Sequence, residues 1–258
     1  MNNEYVIITG CTSGIGLSTT KLFYNKGYSL LLLSKEQQKL DTLALDLKNK
    51  DDKILTYAID LTKENEIINF IIYLKTNNIK VIGLINNAGR GNFSEFLNTE
   101  NEINNEIIEL NIKALVLLCH EIIPLMGKGG TIVNIASTGG FAPGPYTAVY
   151  YASKSFVLSF SEALHEELKD KGINVCVLSP GTTNTPFFEK AQVEEEKIKK
   201  LKMTNPDFVA SSILKVYEKK IPFYVVGLKN RLAVFSLRFL SHKLTRKIMT
   251  KIGKNRVN

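Results

Sequence analysis

The chain has 258 residues, 44% of them hydrophobic and 22% charged, with a formal net charge of +8. That length and balance fit one soluble globular α/β domain with a sizeable core. The charge is concentrated: nine of the 33 Lys/Arg and none of the 25 Asp/Glu fall between residues 227 and 258, which leaves the first 226 positions at about −1. The basicity therefore belongs to a tail, and without zinc-finger spacing or another nucleic-acid motif no nucleic-acid partner is expected. Cys11, Cys119 and Cys176 are far apart, odd in number and without metal-ligand spacing. They argue against a disulfide framework or a metal centre and for a reduced, cytoplasmic setting with buried roles. The opening MNNEYVIITG has neither a basic start nor a long apolar core, so no secretory leader is expected.

In chain order, strand-like and helix-like segments alternate. EYVIITG (4–10) is a short apolar run ending at glycine, and a helix follows from about 15 to 25, closed by Gly27. YSLLLLS is the second strand and KEQQKLDTLALDLKNK a charged amphipathic helix. KILTYAID is the third strand, ending at Asp60; the next helix, TKENEIINFIIYLKTN, has Ile67, Ile71 and Leu74 near helical spacing. KVIGLINNAG is the fourth strand, a long helical region spans 102–126, and GTIVNIAS is the fifth strand. A helix over 147–171 and the strand INVCVLSPG follow. A charged segment at about 186–206 reads either as a mobile lid or as an ordinary solvated helix. NPDFVASSILKVYEKK is a last domain helix and PFYVVG a closing strand.

Continuous apolar strands between helices mean a parallel sheet covered on both faces, a three-layer, doubly wound α/β architecture. One domain over 1–227 and a helical tail over 228–258 are expected. Ligands of such sheets bind beyond the carboxyl ends of the strands, where Gly10, Ser34, Asp60, residues 86–89, Ser137, Pro180 and Gly181 gather.

TGCTSGIG (9–16) joins the first strand to the first helix, with glycines at 10, 14 and 16. Missing side chains let the backbone turn sharply and approach a pyrophosphate at the positive helix N-terminus, so a dinucleotide site is expected. The spacing is G-x-x-x-G-x-G, not the commoner G-x-G-x-x-G. Counting back four from Lys154 gives Tyr150, so the two share a helix face, whereas Tyr151 points about 100° away and is expected to pack in the core or against a partner. A phenol titrates near pH 10; proton exchange near neutrality needs a fall of about 3, roughly 4 kcal/mol, and a nearby ammonium favours the phenolate. An isolated Tyr–Lys pair can meet by chance; Ser137 at a strand end, thirteen residues upstream, argues against that.

TGxxxGxG, NNAG at 86–89, Asn111, Ser137, YxxxK at 150–154 and PG at 180–181 occur in the order and spacing of the short-chain dehydrogenase/reductase superfamily, which the chain resembles over residues 4–226. The resemblance implies a Rossmann-type fold, a nicotinamide cofactor and carbonyl/alcohol oxidoreduction. It makes Tyr150 the general acid in reduction and base in oxidation. Lys154 would tune Tyr150 and hold the nicotinamide ribose, Ser137 would hydrogen-bond the substrate carbonyl, and Asn111 would hold a relay water. The plainer readings are a helix kink or cap for Asn111, a strand-end cap for Ser137 and a helix N-cap for Asp60.

The resemblance also assigns cofactor contacts to Gly10, Thr12, Ser13, Gly14, Ile15 and Gly16, to Ser34 and Lys35, and to Asp60 and Leu61. Asn87, Ala88 and Gly89, then Pro180, Gly181, Thr183 and Thr185, complete the set with Tyr150 and Lys154. At the end of the second strand, Lys35 stands near where an acidic residue would repel a 2′-phosphate, so NADP is expected, with NAD left open by the adjoining Glu36 and by Ser13. Phe93, Phe141, Phe187 and Phe188, with Ser137, suggest a pocket for a hydrophobic small-molecule carbonyl. A homodimer or homotetramer through the helices at 102–126 and 147–171 is implied. The other readings are a non-catalytic nucleotide-binding module and a membrane-surface protein. The tail stripe of Leu237, Leu240, Leu244, Ile248 and Ile252, with Lys243, Lys247, Lys251 and Lys254 as a second stripe, suits either peripheral contact with an anionic inner-membrane surface or packing on protein.

Overall fold

Seven strands pair in parallel to make one sheet: β1 (Glu4–Thr9), β2 (Leu30–Ser34), β3 (Ile54–Ala58), β4 (Lys80–Asn86), β5 (Met126–Ile135), β6 (Asn174–Ser179) and β7 (Phe223–Val225). The computed structural model of the chain describes residues 3–47, 53–191, 193–199 and 201–257. Positions 48–50 of the expected second helix, 192 and 200 of the expected lid, and the ends at 1–2 and 258 lie outside the described residues. The strands lie in the order β3-β2-β1-β4-β5-β6-β7. Winding runs outward from β1 to β3, then returns to set β4 against β1 and continues the other way. A crevice opens at the carboxyl ends where that direction reverses.

Between the strands run α1 (Gly14–Asn25), α2 (Gln37–Asp46), α3 (Glu64–Thr76), α4 (Asn101–Ile108), α5 (Ala114–Ile122), α6 (Ala148–Leu168), the short α7 (Phe187–Lys190) and α8 (Glu195–Lys199), and α9 (Pro206–Lys219). α10 (Leu228–Leu237) and α11 (His242–Val257) follow β7. The uninterrupted leucines of β2 show why the strands read as continuous apolar runs. Leu31 and Leu33 join a core with Phe70 of α3, Leu118 of α5 and Val157 of α6. Leu30 and Leu32 point the other way, to Phe23 of α1, Leu40 of α2 and Ile213 of α9. Side chains alternate across a strand, and here both faces are covered.

The single helix expected over 102–126 is in pieces. A π-turn, Glu109–Lys113, separates α4 from α5, and after a 3₁₀ turn, Ile123–Leu125, the chain is already strand at Met126, which pairs with Val81. Single π-turns are rare and interrupt the helical ladder. This one turns Asn111 inward, to 1% exposure.

A polar line crosses the apolar core beneath the crevice. Asn86 of β4 donates from Nδ2 to Asn134 Oδ1 of β5 (2.9 Å), Asn134 Nδ2 donates to Ser161 Oγ of α6 (2.9 Å), and Ser161 donates to the Val157 carbonyl (2.6 Å). Buried polar groups are costly without partners, so this line specifies how α6 sits on the sheet. Replacing Asn134→Ala should lower the unfolding free energy by roughly 2–4 kcal/mol in urea titrations; an unchanged midpoint would contradict this account.

Candidate active site

The strand ends enclose one cleft of about 640 Å³, bordered by Gly10, Ser34, Asp60, residues 87–89, Ser137, Pro180 and Gly181. Gly10 and Gly14 have φ of +64° and +52°, the left-handed region that glycine enters without strain. A Cβ on Gly16 would lie 2.0 Å from the Gly10 carbonyl oxygen, so only glycine lets α1 begin directly under the turn. Thr12, Ser13, Gly14 and Ile15 face the cleft, and Gly16 lies beneath them. Ser13, at the N-cap position, makes no side-chain cap bond. The first N–H groups of α1 have no intrahelical partner, and such a helix end fits a phosphate-bearing ligand.

The end of β4 is sewn to this turn. Thr9 Oγ1 accepts the N–H groups of Asn87 (3.0 Å) and Ala88 (2.9 Å), and Asn87 Nδ2 donates to the carbonyls of Thr9 (3.0 Å) and Gly10 (3.2 Å). Thr9 was not among the expected residues; its signal is a hydroxyl closing an otherwise apolar strand.

Tyr150 and Lys154 extend from α6 into the cleft, with Lys154 Nζ 5.9 Å from the centre of the Tyr150 ring. Lys154 is buried; its ammonium donates to the Ile135 carbonyl at the end of β5 (2.8 Å), and desolvation lowers its pKa to about 8. Ser137 accepts from Gly139 N (3.0 Å) and so caps the 3₁₀ turn Thr138–Phe141, as its plainer reading held. Accepting uses a lone pair and leaves the O–H free to donate. Tyr151 turns against Gly139 and Gly144, where a Cβ would sit 2.9 and 2.3 Å from its ring, although its edge still borders the cleft.

Asn111 does not border the cleft. Its Oδ1 accepts from Arg90 N (2.9 Å), and its Nδ2 donates to the Arg90 carbonyl (2.8 Å) and to Ser153 Oγ (2.9 Å). Both amide hydrogens are committed, which leaves a single Oδ1 lone pair for a relay water. Ser153, three residues from Tyr150, is a partner the sequence reading missed, though helix spacing places it within reach.

At the far end of the cleft, Lys35 Nζ pairs with Asp60 Oδ2 (2.8 Å), and Asp60 Oδ1 accepts from Thr62 N (3.1 Å) and Thr62 Oγ1 (2.7 Å). Burial opposes the carboxylate charge, but Lys35 and the two Thr62 hydrogen bonds outweigh it and hold the pKa at about 2. Asp60 is not the helix cap: Lys63 takes that position on α3, and Asp60 closes the turn before it. Leu61 and Glu36 border the same end, as does Lys190, brought there by a loop that no local sequence signal aims.

The segment after β6 closes on itself: Thr204 N donates to the Thr182 carbonyl and Asn184 N to the Thr204 carbonyl, both at 2.9 Å. Thr183 is buried at that closure, and a Cβ on Gly14 would meet Thr185 at 2.8 Å. Phe188, Ala191 and Val193 form a small separate core with Phe93. The Phe187 ring lies over Tyr150 at 5.3 Å. Arg90 borders this end of the cleft, paired with Glu106. Phe141 is a correction. The 3₁₀ turn sends Thr138 and Gly139 into the cleft and carries Phe141 out of it, where its ring meets Phe223 of β7 edge-on at 5.9 Å.

A family model described as short chain dehydrogenase matches residues 4–196. The chain belongs to the short-chain dehydrogenase family. Sulfoacetaldehyde reductase 2 of Chromohalobacter salexigens is 32% identical over 189 residues, covering 72% of this chain and 75% of that protein. The very-long-chain 3-oxoacyl-CoA reductase of Macaca fascicularis is 30% identical over 239 residues, 88% of this chain and 70% of its own length. A solved short-chain dehydrogenase from Sphingobium yanoikuyae, in complex with NADPH, matches with a TM-score of 0.80 at 28% identity, covering 92% of this chain and 93% of the other. As a short-chain dehydrogenase the chain is an oxidoreductase.

In this short-chain dehydrogenase the buried ammonium should work against stability. Lys154 titrates at about 8 when folded and at an ordinary 10.5 when not, so between those values the unfolded chain binds more protons and stability rises with pH. The penalty is complete below about pH 8. A Lys154→Met variant should therefore be more stable than wild type at neutral pH, by about 3 kcal/mol at most, with the gap closing between pH 8 and 10.5. Denaturant titrations across that range test this; a variant less stable at neutral pH would refute it.

Proposed function

We propose that this short-chain dehydrogenase interconverts a carbonyl and an alcohol on an apolar substrate, using NADP(H), with Tyr150 as the general acid and base. The observation that carries the reading is convergence: the Tyr150 ring, the Lys154 ammonium and the Ser137 hydroxyl face one cleft whose other wall is the glycine turn. A nicotinamide dinucleotide, when bound, supplies or takes the hydride. Gly10 and residues 12–15 would hold its pyrophosphate, Ala88 and Gly89 the neighbouring ribose, Lys154 the nicotinamide ribose and Thr185 the carboxamide.

In the reductive direction, Tyr150 gives its proton to the carbonyl oxygen as negative charge grows there, and Ser137 donates a hydrogen bond to the same atom. The Lys154 ammonium favours the phenolate left on Tyr150. Asn111 keeps the loop at residue 90 fixed to α6, and its remaining lone pair would hold the relay water. The segment at 186–206 acts as a lid. Phe187, Phe188 and Phe93 give its underside an apolar character, and the Arg90 charge is already met by Glu106, which supports an uncharged, apolar carbonyl. Both relatives described above are named as reductases, which supports carbonyl reduction but not the apolar character of the substrate, since sulfoacetaldehyde carries a sulfonate.

Lys35 supports NADP(H). In its pairing with Asp60 the lysine side chain is 74% exposed, and a charge-assisted contact to a 2′-phosphate is worth roughly 1.5–3 kcal/mol. Steady-state kinetics with a panel of carbonyl compounds test both claims. Tyr150→Phe should lower kcat by roughly 10²- to 10⁴-fold with cofactor affinity retained. Lys35→Ala should raise the KM for NADPH about 2- to 150-fold, the lower end allowing for the Asp60 pairing given up on binding, and leave that for NADH unchanged. Cofactor binding without turnover by wild type on any carbonyl would favour a non-catalytic nucleotide-binding module.

The chain further supports a homodimer or homotetramer built on the outer faces of α4 and α6, where Ile108 and Phe156 are exposed. Analytical ultracentrifugation should show two or four chains, and a concentration-independent monomer would refute it.

A further inference from the structure

The tail carries an apolar row that the domain leaves uncovered. On α10 and just past its end, Leu228, Leu232, Phe235 and Phe239 recur at helical spacing and are 56–75% exposed, with the two aromatic rings edge to face at 5.2 Å. On α11, Leu244, Ile248 and Ile252 share a face and are 39–45% exposed. In the stripe read from the sequence, Leu237 and Leu240 are more covered than these three. α11 turns other residues inward, Thr245, Met249 and Gly253, and a Cβ on Gly253 would lie 2.4 Å from the Pro145 carbonyl oxygen. α10 is fastened by Asn230 Nδ2 to the Val226 carbonyl (2.7 Å), by Arg231 Nε to the Val225 carbonyl (2.9 Å), and by the Arg231 guanidinium over the Tyr224 ring. The apolar row is thus held outward.

We propose that this face docks in the plane of an anionic bilayer surface, with the apolar row in the headgroup region and the flanking cations against lipid phosphates. Charge selects the occupant. Lys229, Arg238, Lys243, Lys247, Lys251 and Lys254 are exposed, and among the described residues none of them enters an ion pair. The tail holds no acidic residue. A second copy docked on the same face would set cation against cation, whereas anionic lipid complements every one of them. Among the described residues no helix is long and apolar enough to cross a membrane, so the contact lies along the surface.

Full-length protein spun with vesicles of phosphatidylcholine, alone or mixed with phosphatidylglycerol, tests this independently of catalysis. Wild type should sediment with the mixed vesicles and stay in solution with the neutral ones. Lys243→Gln/Lys247→Gln/Lys251→Gln should weaken binding about 100-fold, near 5-fold per charge, and Phe235→Ser/Phe239→Ser should abolish it, both at wild-type melting temperature. Wild type that ignores both vesicle types, or binds both equally, overturns the proposal. A dimer broken by the Phe235/Phe239 substitutions, in a protein that binds no vesicle, overturns it in favour of a second copy.

Discussion

An ammonium buried at the edge of a parallel sheet needs a fixed acceptor, and for Lys154 that acceptor is the Ile135 carbonyl at the end of β5. The residue before it, Asn134, makes the other polar contact between β5 and α6, to Ser161. Lys154 and Ser161 are seven residues apart, two helical turns, and so share a face. Two neighbouring positions on the strand therefore grip two positions along one line of the helix. Rotation of α6 about its axis would break both contacts at once and strand buried polar groups. Tyr150 is one turn further along that line, so its position on the sheet is set by the same two contacts together with its own ring contact to Phe187.

The opposite wall is held by the same kind of device at shorter range. Four hydrogen bonds join Thr9 and Gly10 of the glycine turn to Asn87 and Ala88 at the end of β4. Asn111 then fastens the loop following β4 to α6 through Arg90 and Ser153. Gly89 lies between these clamps, with room for a Cβ only at 3.3 Å from Asn111 Oδ1 and 3.4 Å from Lys154 Nζ. This wall of the cleft is thus backbone held from behind.

The alternation of apolar runs, the glycines at 10, 14 and 16, and the four-residue step from Tyr150 to Lys154 were legible because each rests on local periodicity. So was the gathering of polar residues at strand ends. What was not legible depends on contacts distant in sequence. A helix kink was one reading of Asn111, and the π-turn lies there, but the partners it finds 21 and 42 residues away were not legible. Asn134 offered a clue, a lone amide in an apolar strand, but not its partners. Phe141 was misplaced because the length of a loop says nothing of the twist that a 3₁₀ turn adds. The tail stripe was readable, whereas the choice of inward face turned on Gly253 fitting against Pro145.

The two ends of the cleft differ in how firmly their charges are held, and that difference has a consequence for exchange. Asp60 is held near full ionisation by two hydrogen bonds from Thr62 as well as by Lys35. Taking Lys35 away leaves a carboxylate that is still hydrogen-bonded by Thr62, which lessens the buried-charge penalty that follows loss of a sole partner. The lysine is itself 74% exposed and keeps its hydration in either position. At the other end, Lys154 has the Ile135 carbonyl and little water, and moving it would leave an ammonium without compensation. A cation that can change partners at low cost suits recognition of a variable group such as a ribose phosphate. A cation that cannot move suits a fixed electrostatic influence on a neighbouring phenol. On the proposed function, the same side chain, one copy exposed and one buried, would serve two tasks through its surroundings.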